Sequence, residues 1–122
     1  MTYSSPRGAN WEQLAESFLH GRGLKTLERN FRCRVGEIDL IMRDGQTLVF
    51  TEVRYRANDR HGSGAESVSF TKQRRIIGAA QNFLRFRDHH PSQTCRFDVV
   101  SIGEEEGRTL INWIRGAFDA GG

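Results

Sequence analysis

The fold of this chain is decided by residues 36–56, which read GEIDLIMRDGQTLVFTEVRYR. Two apolar, β-rich runs flank Asp44-Gly45. That dipeptide between such runs is typical of a two-residue hairpin turn, because the central positions of the favoured turn need φ > 0. The stretch therefore predicts a β-hairpin in which Arg43 pairs with Gln46.

This register assigns each residue of the hairpin to a face. It places Glu37 opposite Glu52 and Asp39 opposite Phe50. One face of the predicted pleat then carries Glu37, Asp39, Ile41, Leu48, Phe50, Glu52 and Arg54, and the core face carries Ile38, Leu40, Met42, Val49, Val53 and Tyr55. A β-bulge or a longer turn would shift this assignment.

Three acids on one face of the hairpin indicate a cation site. Opposed Cβ atoms lie ~4.5–5.5 Å apart in such a ladder, so the carboxylates of Glu37, Asp39 and Glu52 can converge. Two like charges at ~4 Å cost roughly 4 kcal/mol near a protein surface, and Arg54 offsets only one of the three. The charge deficit and the hard oxygen ligands suit Mg²⁺ or Mn²⁺. A second interpretation stays open, since solvated acids alternate in the same way on any half-exposed hairpin.

Two blocks of this hairpin resemble the YraN family of small bacterial proteins. They are Gly36 to Ile41, which reads GEIDLI, and Phe50 to Arg54, which reads FTEVR where the family has FVEVK. Further matches occur in the family's order between residues 8 and 118: Ala15-Glu16, Phe18-Leu19, Arg29-Asn30, Lys72 to Ile76, and Arg96 to Val100. The ordered set is specific, whereas a single D…ExK pattern is common by chance.

The YraN family is similar to the restriction-endonuclease-like superfamily, which carries the PD-(D/E)xK signature and includes archaeal Holliday-junction resolvases. The resemblance implies a restriction-endonuclease-like α/β core, with a mixed, largely antiparallel sheet flanked by helices. It implies Asp39 and Glu52 as metal ligands, Glu16 as a further one, and Glu37 as an assisting acid. Arg54 fills the position of the motif lysine, which is a departure because a guanidinium stays protonated and can only position and stabilise charge.

The departure at Arg54 draws attention to the lysines. The chain has only two, Lys25 and Lys72, against 16 arginines. Lys72 opens the second predicted helix, and two interpretations of it stay open. It is either a solvated residue of the first turn, or it reaches back to the metal site and supplies the missing ammonium.

Positive charge is concentrated close to the acids in sequence. The net charge is +3 and the pI is about 9.3, which is compatible with nucleic acid but does not by itself argue for it. Arginine forks grip phosphates, although a GC-rich genome would also raise the arginine count. The expected nucleic-acid-binding residues are Arg56, Arg60, Lys72, Arg74 and Arg75.

The other predicted elements complete one domain, residues 1–122, in which residues 1–9 are expected to be loose. A loop at 57–67 is placed to close over substrate. Two helices and three further strands are predicted: a helix from Asn10 as N-cap to Gly21, a helix from Thr71 to Phe86 with Ser69 or Thr71 as N-cap, and strands at 24–34, 96–102 and 109–114. Asp98, in the second of these strands, is an additional candidate for the site or a residue of a polar face.

The sequence thus predicts a nucleic-acid-binding protein, acting on DNA, with Mg²⁺-dependent endonuclease activity that hydrolyses phosphodiester bonds. A catalytically inactive nucleic-acid-binding module and a protein-interaction domain stay open as alternatives. Cys33 and Cys95 lack metal-site or redox spacing, and no apolar run has the length of a membrane span or a secretory signal. A cytoplasmic protein without a membrane partner is expected, and dimerisation is left open.

Overall fold

The computed structural model describes residues 2–4, 10–56, 68–87 and 93–120. Its elements are, in chain order, β1 (Thr2–Ser4), α1 (Trp11–His20), β2 (Lys25–Arg32), β3 (Glu37–Asp44), β4 (Thr47–Arg56), α2 (Phe70–Phe86), β5 (Cys95–Glu105) and β6 (Arg108–Phe118). The strands form one sheet in the order β1-β6-β5-β4-β3-β2. Only the β4–β5 pair is parallel. The predicted α/β class with a mixed, largely antiparallel sheet is therefore confirmed.

Each helix covers one face of the sheet and closes one of two cores. On the α1 face, Leu19 packs with Leu40, Met42 and Val49. On the α2 face, the buried set is Ile38, Ile41, Leu48, Phe50, Val68, Ile76, Ala79, Ala80, Phe83, Phe97 and Val99. The alternation of the hairpin residues between the two cores is what a strand covered on both faces requires. No helix in the described ranges is long and apolar enough to cross a membrane.

Both helices begin where the sequence predicts a cap. The Asn10 side chain accepts a hydrogen bond of 3.0 Å from the Gln13 N–H, and Ser69 accepts one of 3.1 Å from the Lys72 N–H. Each oxygen satisfies an N–H that the first helical turn leaves without a partner. The cap at Ser69 fixes the start of α2, and with it the position of Lys72.

The β3–β4 hairpin has a different register from the predicted one. Asp44 pairs with Thr47, so Gly45 and Gln46 form the loop instead of Asp44 and Gly45. Gly45 has φ +60°, while Gln46 is not among the positive-φ residues. This is the turn that takes glycine at its first central position, and its twist matches that of the strands. The shift is two residues, so Ile41, Leu48 and Phe50 still share a face.

One face assignment is wrong. Ile38 was expected beside Leu40 and Met42, yet it packs in the core under α2 with Ile41. The alternation breaks at Asp39, which lies between the Arg29–Leu40 and Phe31–Ile38 pairs, where Asn30 of the neighbouring strand adopts φ +50°. A local irregularity of this kind re-aims the side chains around it.

The ends of the chain contain more strand than the sequence predicts. β1 lies within residues 1–9, which were expected to be loose, and pairs with β6. β5 and β6 extend to a tight turn at Glu106 and Gly107, with φ of 51° and 74°. The proposed substrate-closing loop at 57–67 and Arg60 lie outside the described residues.

Gly36 lies where the β2–β3 connection meets α2. A Cβ atom placed on Gly36 would be 2.5 Å from the carbonyl oxygen of Arg75, which is helix backbone and cannot move away as a side chain can. A Cβ on Gly78 would instead meet the side chain of Val35 at 3.1 Å. The first residue of the GEIDLI block is therefore glycine because the backbone of α2 passes directly over it.

Gly36→Ala should destabilise the protein by ~1–3 kcal/mol, the usual cost of overpacking. Gly78→Ala is the matched control and should be neutral or slightly stabilising, because Val35 can yield and alanine favours a helix. Urea unfolding monitored by circular dichroism measures both. Equal losses in the two variants would contradict close backbone contact as the reason for Gly36.

Candidate active site

The candidate site lies where β3 and β4 separate. Their described pairing ends at Leu40 and Thr51. Beyond that pair, the Asp39 side chain replaces a backbone carbonyl of β3 as the hydrogen-bond acceptor, since its Oδ2 accepts a 2.8 Å hydrogen bond from the Val53 N–H. The acid of the GEIDLI block is thus held by the backbone of the strand that carries Glu52.

Asp39 and Glu52 form an electrostatically strained pair. Glu52 is only 4% exposed, and Asp39 is half-buried beside it. Burial and the neighbouring charge of Glu52 raise the pKa of Asp39 to about 7, although the Val53 N–H and Lys72 act in the opposite direction. A hard cation relieves the electrostatic repulsion between two carboxylates that are partly shielded from water.

Two cations approach this pair. The Nζ atom of Lys72 lies 2.7 Å from Oε2 of Glu52, and Nη1 of Arg54 lies 3.8 Å from the same oxygen. Lys72 comes from α2 and Arg54 from β4 itself. Lys72 is therefore not simply a solvated residue of the helix, and its ammonium occupies the region expected of it. Its part in a reaction stays a prediction.

Glu12 belongs to this cluster and was missed in the sequence. Burial raises the pKa of its carboxyl group, and the charges of Asp39 and Glu37 raise it further against the opposing effect of Arg32. Its Oε1 is buried and has no hydrogen-bond partner among the described residues. Its position one helical turn before Glu16, beside the Asn10 cap, was the available signal, because residues four apart share a helix face.

Glu16 is not brought to the Asp39–Glu52 pair. Its carboxylate binds Arg29 through contacts of 2.7 and 2.9 Å and accepts a hydrogen bond from the Thr26 hydroxyl. Burial alone would raise the pKa of Glu16, but the hydrogen bonds from Arg29 and Thr26 lower it overall. Glu16 thus fastens α1 to β2, and Glu12 takes its place as the helical acid of the site.

Glu37 does not converge with the other two acids of the predicted face. It lies opposite Arg32 in the β2–β3 ladder and pairs with it at 3.3 Å, with both side chains largely exposed. The break in alternation at Asp39 is the physical reason. In the described part of the chain, no three histidine, cysteine, aspartate or glutamate side chains form a group that could hold a metal ion. The donor set available around the pair is therefore Asp39 and Glu52, with Glu12 nearby.

Asp98 is a structural residue. It is fully buried and accepts hydrogen bonds from Arg96, the Trp113 indole N–H and the Gly116 N–H, at 2.9 to 3.2 Å. Arg96 continues to Asp44 at 2.9 Å. Because every partner is satisfied, this network ties β5 to β6 and to the end of β3 and leaves no group free for a ligand.

The predicted phosphate-binding arginines are distributed around the site. Arg56 ends β4 and is half-buried, while Arg74 and Arg75 are exposed on the first turns of α2. Arg74 rests over the ring of Phe70, which is itself 68% exposed. Arg75 is the one of the three that, together with Lys72, borders a groove beside the acids.

The raised pKa of Asp39 predicts a pH-dependent stability. Between its ordinary value of 3.8 and about 7, the folded protein binds the proton more tightly than the unfolded chain, so stability falls as pH rises through this range. Asp39→Asn removes the charge and keeps an acceptor for Val53. In metal-free buffer it should be neutral near pH 4 and stabilising on the order of 2 kcal/mol at pH 8.

Urea unfolding of Asp39→Asn across this pH range tests the expectation. The exposed acid Glu105 supplies the control, since Glu105→Gln should change stability by less than about 0.5 kcal/mol at every pH. A loss of stability in Asp39→Asn at pH 8 would show that the carboxylate pair is not strained.

Comparison with known proteins identifies the relatives of this chain. The model of the uncharacterised protein family UPF0102 matches residues 11–102. UPF0102 proteins of Nitrosospira multiformis and Nitrosococcus oceani are 50% and 48% identical to it, covering 93% and 92% of this chain and 92% and 90% of their own lengths. That of Stutzerimonas stutzeri is 46% identical over 98% of this chain and 100% of its own length. The chain belongs to the UPF0102 family, the YraN-like family that its GEIDLI and FTEVR blocks resemble.

Proposed function

We propose that this protein is a nuclease that hydrolyses phosphodiester bonds of DNA with the help of Mg²⁺ or Mn²⁺, on a restriction-endonuclease-like core. The observation that carries the proposal is the placement of Lys72 Nζ 2.7 Å from Glu52, beside an Asp39 carboxylate whose pKa is raised to about 7. A buried acid with a strongly perturbed pKa and a specific charged partner is a candidate for a reactive group.

The residues present fit a divalent ion. Mg²⁺ binds through one or two carboxylates and keeps several waters, so Asp39 and Glu52 suffice as protein ligands. Glu12, whose buried Oε1 has no hydrogen-bond partner among the described residues, would be a further acidic group near the ion. When bound, the ion supplies an activated water and neutralises charge on the scissile phosphate. Asp39 must lose its proton to bind, so ion affinity should increase between pH 6 and 8.

The cations of the chain have separate tasks in this proposal. Lys72 provides the ammonium that the motif position lacks, and its 2.7 Å contact orients the Glu52 carboxylate. Arg54 supplies a guanidinium that would stabilise negative charge on the pentacoordinate phosphorus of the transition state. The two side chains reach Glu52 from different elements, so exchanging the motif lysine for arginine leaves both kinds of cation at the site.

A binding-only module is the second candidate function. The arginine at position 54 favours it, since the family pattern has lysine there. It predicts salt-sensitive DNA affinity without cleavage under any divalent ion. A protein-interaction domain on the same fold predicts neither cleavage nor a salt-dependent DNA affinity.

Cleavage assays with Mg²⁺ and Mn²⁺ on duplex, flap, junction and single-stranded DNA test the nuclease proposal. Asp39→Asn and Glu52→Gln should each lower the rate by at least ~100-fold, as expected for loss of groups that stabilise the transition state. Circular dichroism of both variants verifies their fold. Cleavage that survives both substitutions comes from a contaminant, and wild-type protein that binds DNA without cutting it supports the binding-only module.

Lys72→Ala tests the role of the ammonium. We expect a ~100-fold loss of kcat, within the usual range for a positioned proton-transfer group. Lys25→Ala is the matched control. Lys25 is exposed at the start of β2, whereas Glu37 pairs with the last residue of that strand, so this substitution should leave the rate unchanged. Lys72→Arg separates charge from proton transfer. Full activity in Lys72→Ala would discard the proposed role.

A further inference from the structure

A basic groove adjoins the candidate active site on the α2 side of the sheet. The β2–β3 connection forms one wall and the first turns of α2 form the other, and the space between them is about 660 Å³. Lys72 lines the groove and also contacts Glu52, so the groove lies beside the carboxylate pair with Lys72 between them. This inference rests on the proposed function and concerns how its substrate is held.

The groove carries more positive charge than its own acids neutralise. Arg32, Arg34, Lys72 and Arg75 line it, against the single carboxylate of Glu37. Arg32 and Lys72 are already in ion pairs, with Glu37 and Glu52. Arg34 and Arg75 are exposed, and no carboxylate of the described residues lies within 4 Å of either. Two free guanidinium groups thus border the path that leads to Glu52.

The walls of the groove are fixed and partly apolar. Gly36 packs so closely on the Arg75 carbonyl that no Cβ fits between them. Val35 lies against Gly78 and is still 49% exposed, which presents an apolar surface between the arginines. A nucleic-acid strand matches this surface, because its phosphates can contact the arginines while a sugar or base packs on the apolar side chain between them.

The size of the groove selects a single strand. A volume of about 660 Å³ corresponds to a space roughly 9 Å across, whereas the two backbones of B-DNA are separated by a major groove ~12 Å wide, so only one backbone of a duplex could lie in it. An unpaired strand can enter, because its backbone and bases are not held by a partner strand. The exposed Arg32–Glu37 pair costs little to open, since ion pairs between solvent-exposed side chains contribute little to stability.

We propose that the groove binds the backbone of one unpaired DNA strand, with Arg34 and Arg75 on the phosphates next to the one that reaches Asp39 and Glu52. The substrate class is therefore DNA with an unpaired segment, such as a flap or overhang, and not intact duplex. Arg34 is a binding residue that the sequence did not indicate. The sequence did indicate Arg75 as a nucleic-acid-binding residue, and in this proposal its ligand is a phosphate of the unpaired strand.

Fluorescence anisotropy with a labelled 20-nucleotide single strand and its duplex tests this inference. The buffer contains EDTA, so that binding is measured apart from cleavage. Arg34→Gln/Arg75→Gln should weaken single-strand binding at least ~10-fold and reduce the slope of log K against log salt by about 1.4, the value for two lost phosphate contacts. Wild-type protein should bind the single strand at least ~10-fold more tightly than the duplex, because of the groove's size.

Arg22→Gln/Lys25→Gln is the control of equal charge. Both residues are exposed, and Lys25 begins β2 at the end opposite the groove, so this variant should bind as wild type does. Equal loss in the two double variants would overturn the groove by showing a non-specific charge effect. Equal affinity of wild type for both DNA forms would overturn the single-strand preference. Unchanged cleavage and unchanged single-strand binding in Arg34→Gln/Arg75→Gln would overturn the groove alone. Cleavage by Asp39→Asn that proceeds equally with and without divalent metal would instead overturn the proposed nuclease.

Discussion

The mutual repulsion of Asp39 and Glu52 is the constraint on which the site depends. Both carboxylates are withdrawn from water, and among the described residues the groups that lie closest against their charge are the Val53 N–H and the Lys72 ammonium. If the two carboxylates belonged to a purely structural ion-pair network, a guanidinium would lie at hydrogen-bonding distance from them in addition to the Lys72 ammonium. Here the nearest one, on Arg54, stays 3.8 Å away. The fold thus maintains an electrostatic deficit that a divalent cation can remove.

The sheet creates this deficit by letting two strands part. Up to Leu40 and Thr51 the hairpin is paired and its side chains alternate between two apolar cores. Where the β3–β4 pairing stops, side chains from the helices on the two faces of the sheet can meet, because no hydrogen-bonded strand pair separates them. Glu12 arrives from α1 and Lys72 from α2, and each helix is set in place by a polar N-cap. The close contact at Gly36 then fixes how near α2 comes to β3.

Charged residues of this protein divide into satisfied and unsatisfied groups. Asp98 has all its acceptors occupied, and Glu16 is held by Arg29 and Thr26, so these buried acids specify the packing of strands and helix. Buried networks of this kind maintain a unique arrangement more than they add stability. Glu12 and Asp39 differ, since burial raises the pKa of both. These two acids with raised pKa values, beside an arginine-lined groove, are the features on which the proposal of a phosphodiester substrate rests.

The sequence by itself determined the class of fold, the two helices with their caps and the hairpin, and it selected Asp39 and Glu52 as candidate site residues. These depend on local patterns, namely periodicity, capping residues and a glycine turn, which are visible in neighbouring residues. The register of the hairpin was wrong by two residues, because glycine at the first turn position was preferred over the more familiar Asp-Gly placement.

Only the tertiary structure decided which charges meet. Glu12 and Glu16 are one turn apart on the same helix, and the sequence could not show that Arg29 of β2 would neutralise the second and leave the first beside Asp39. The distance of Lys72 from Glu52 likewise depends on how α2 crosses the sheet. Electrostatic partnership acts through space, over a few ångströms, between residues far apart in the chain. Only the packing of the layers fixes such distances.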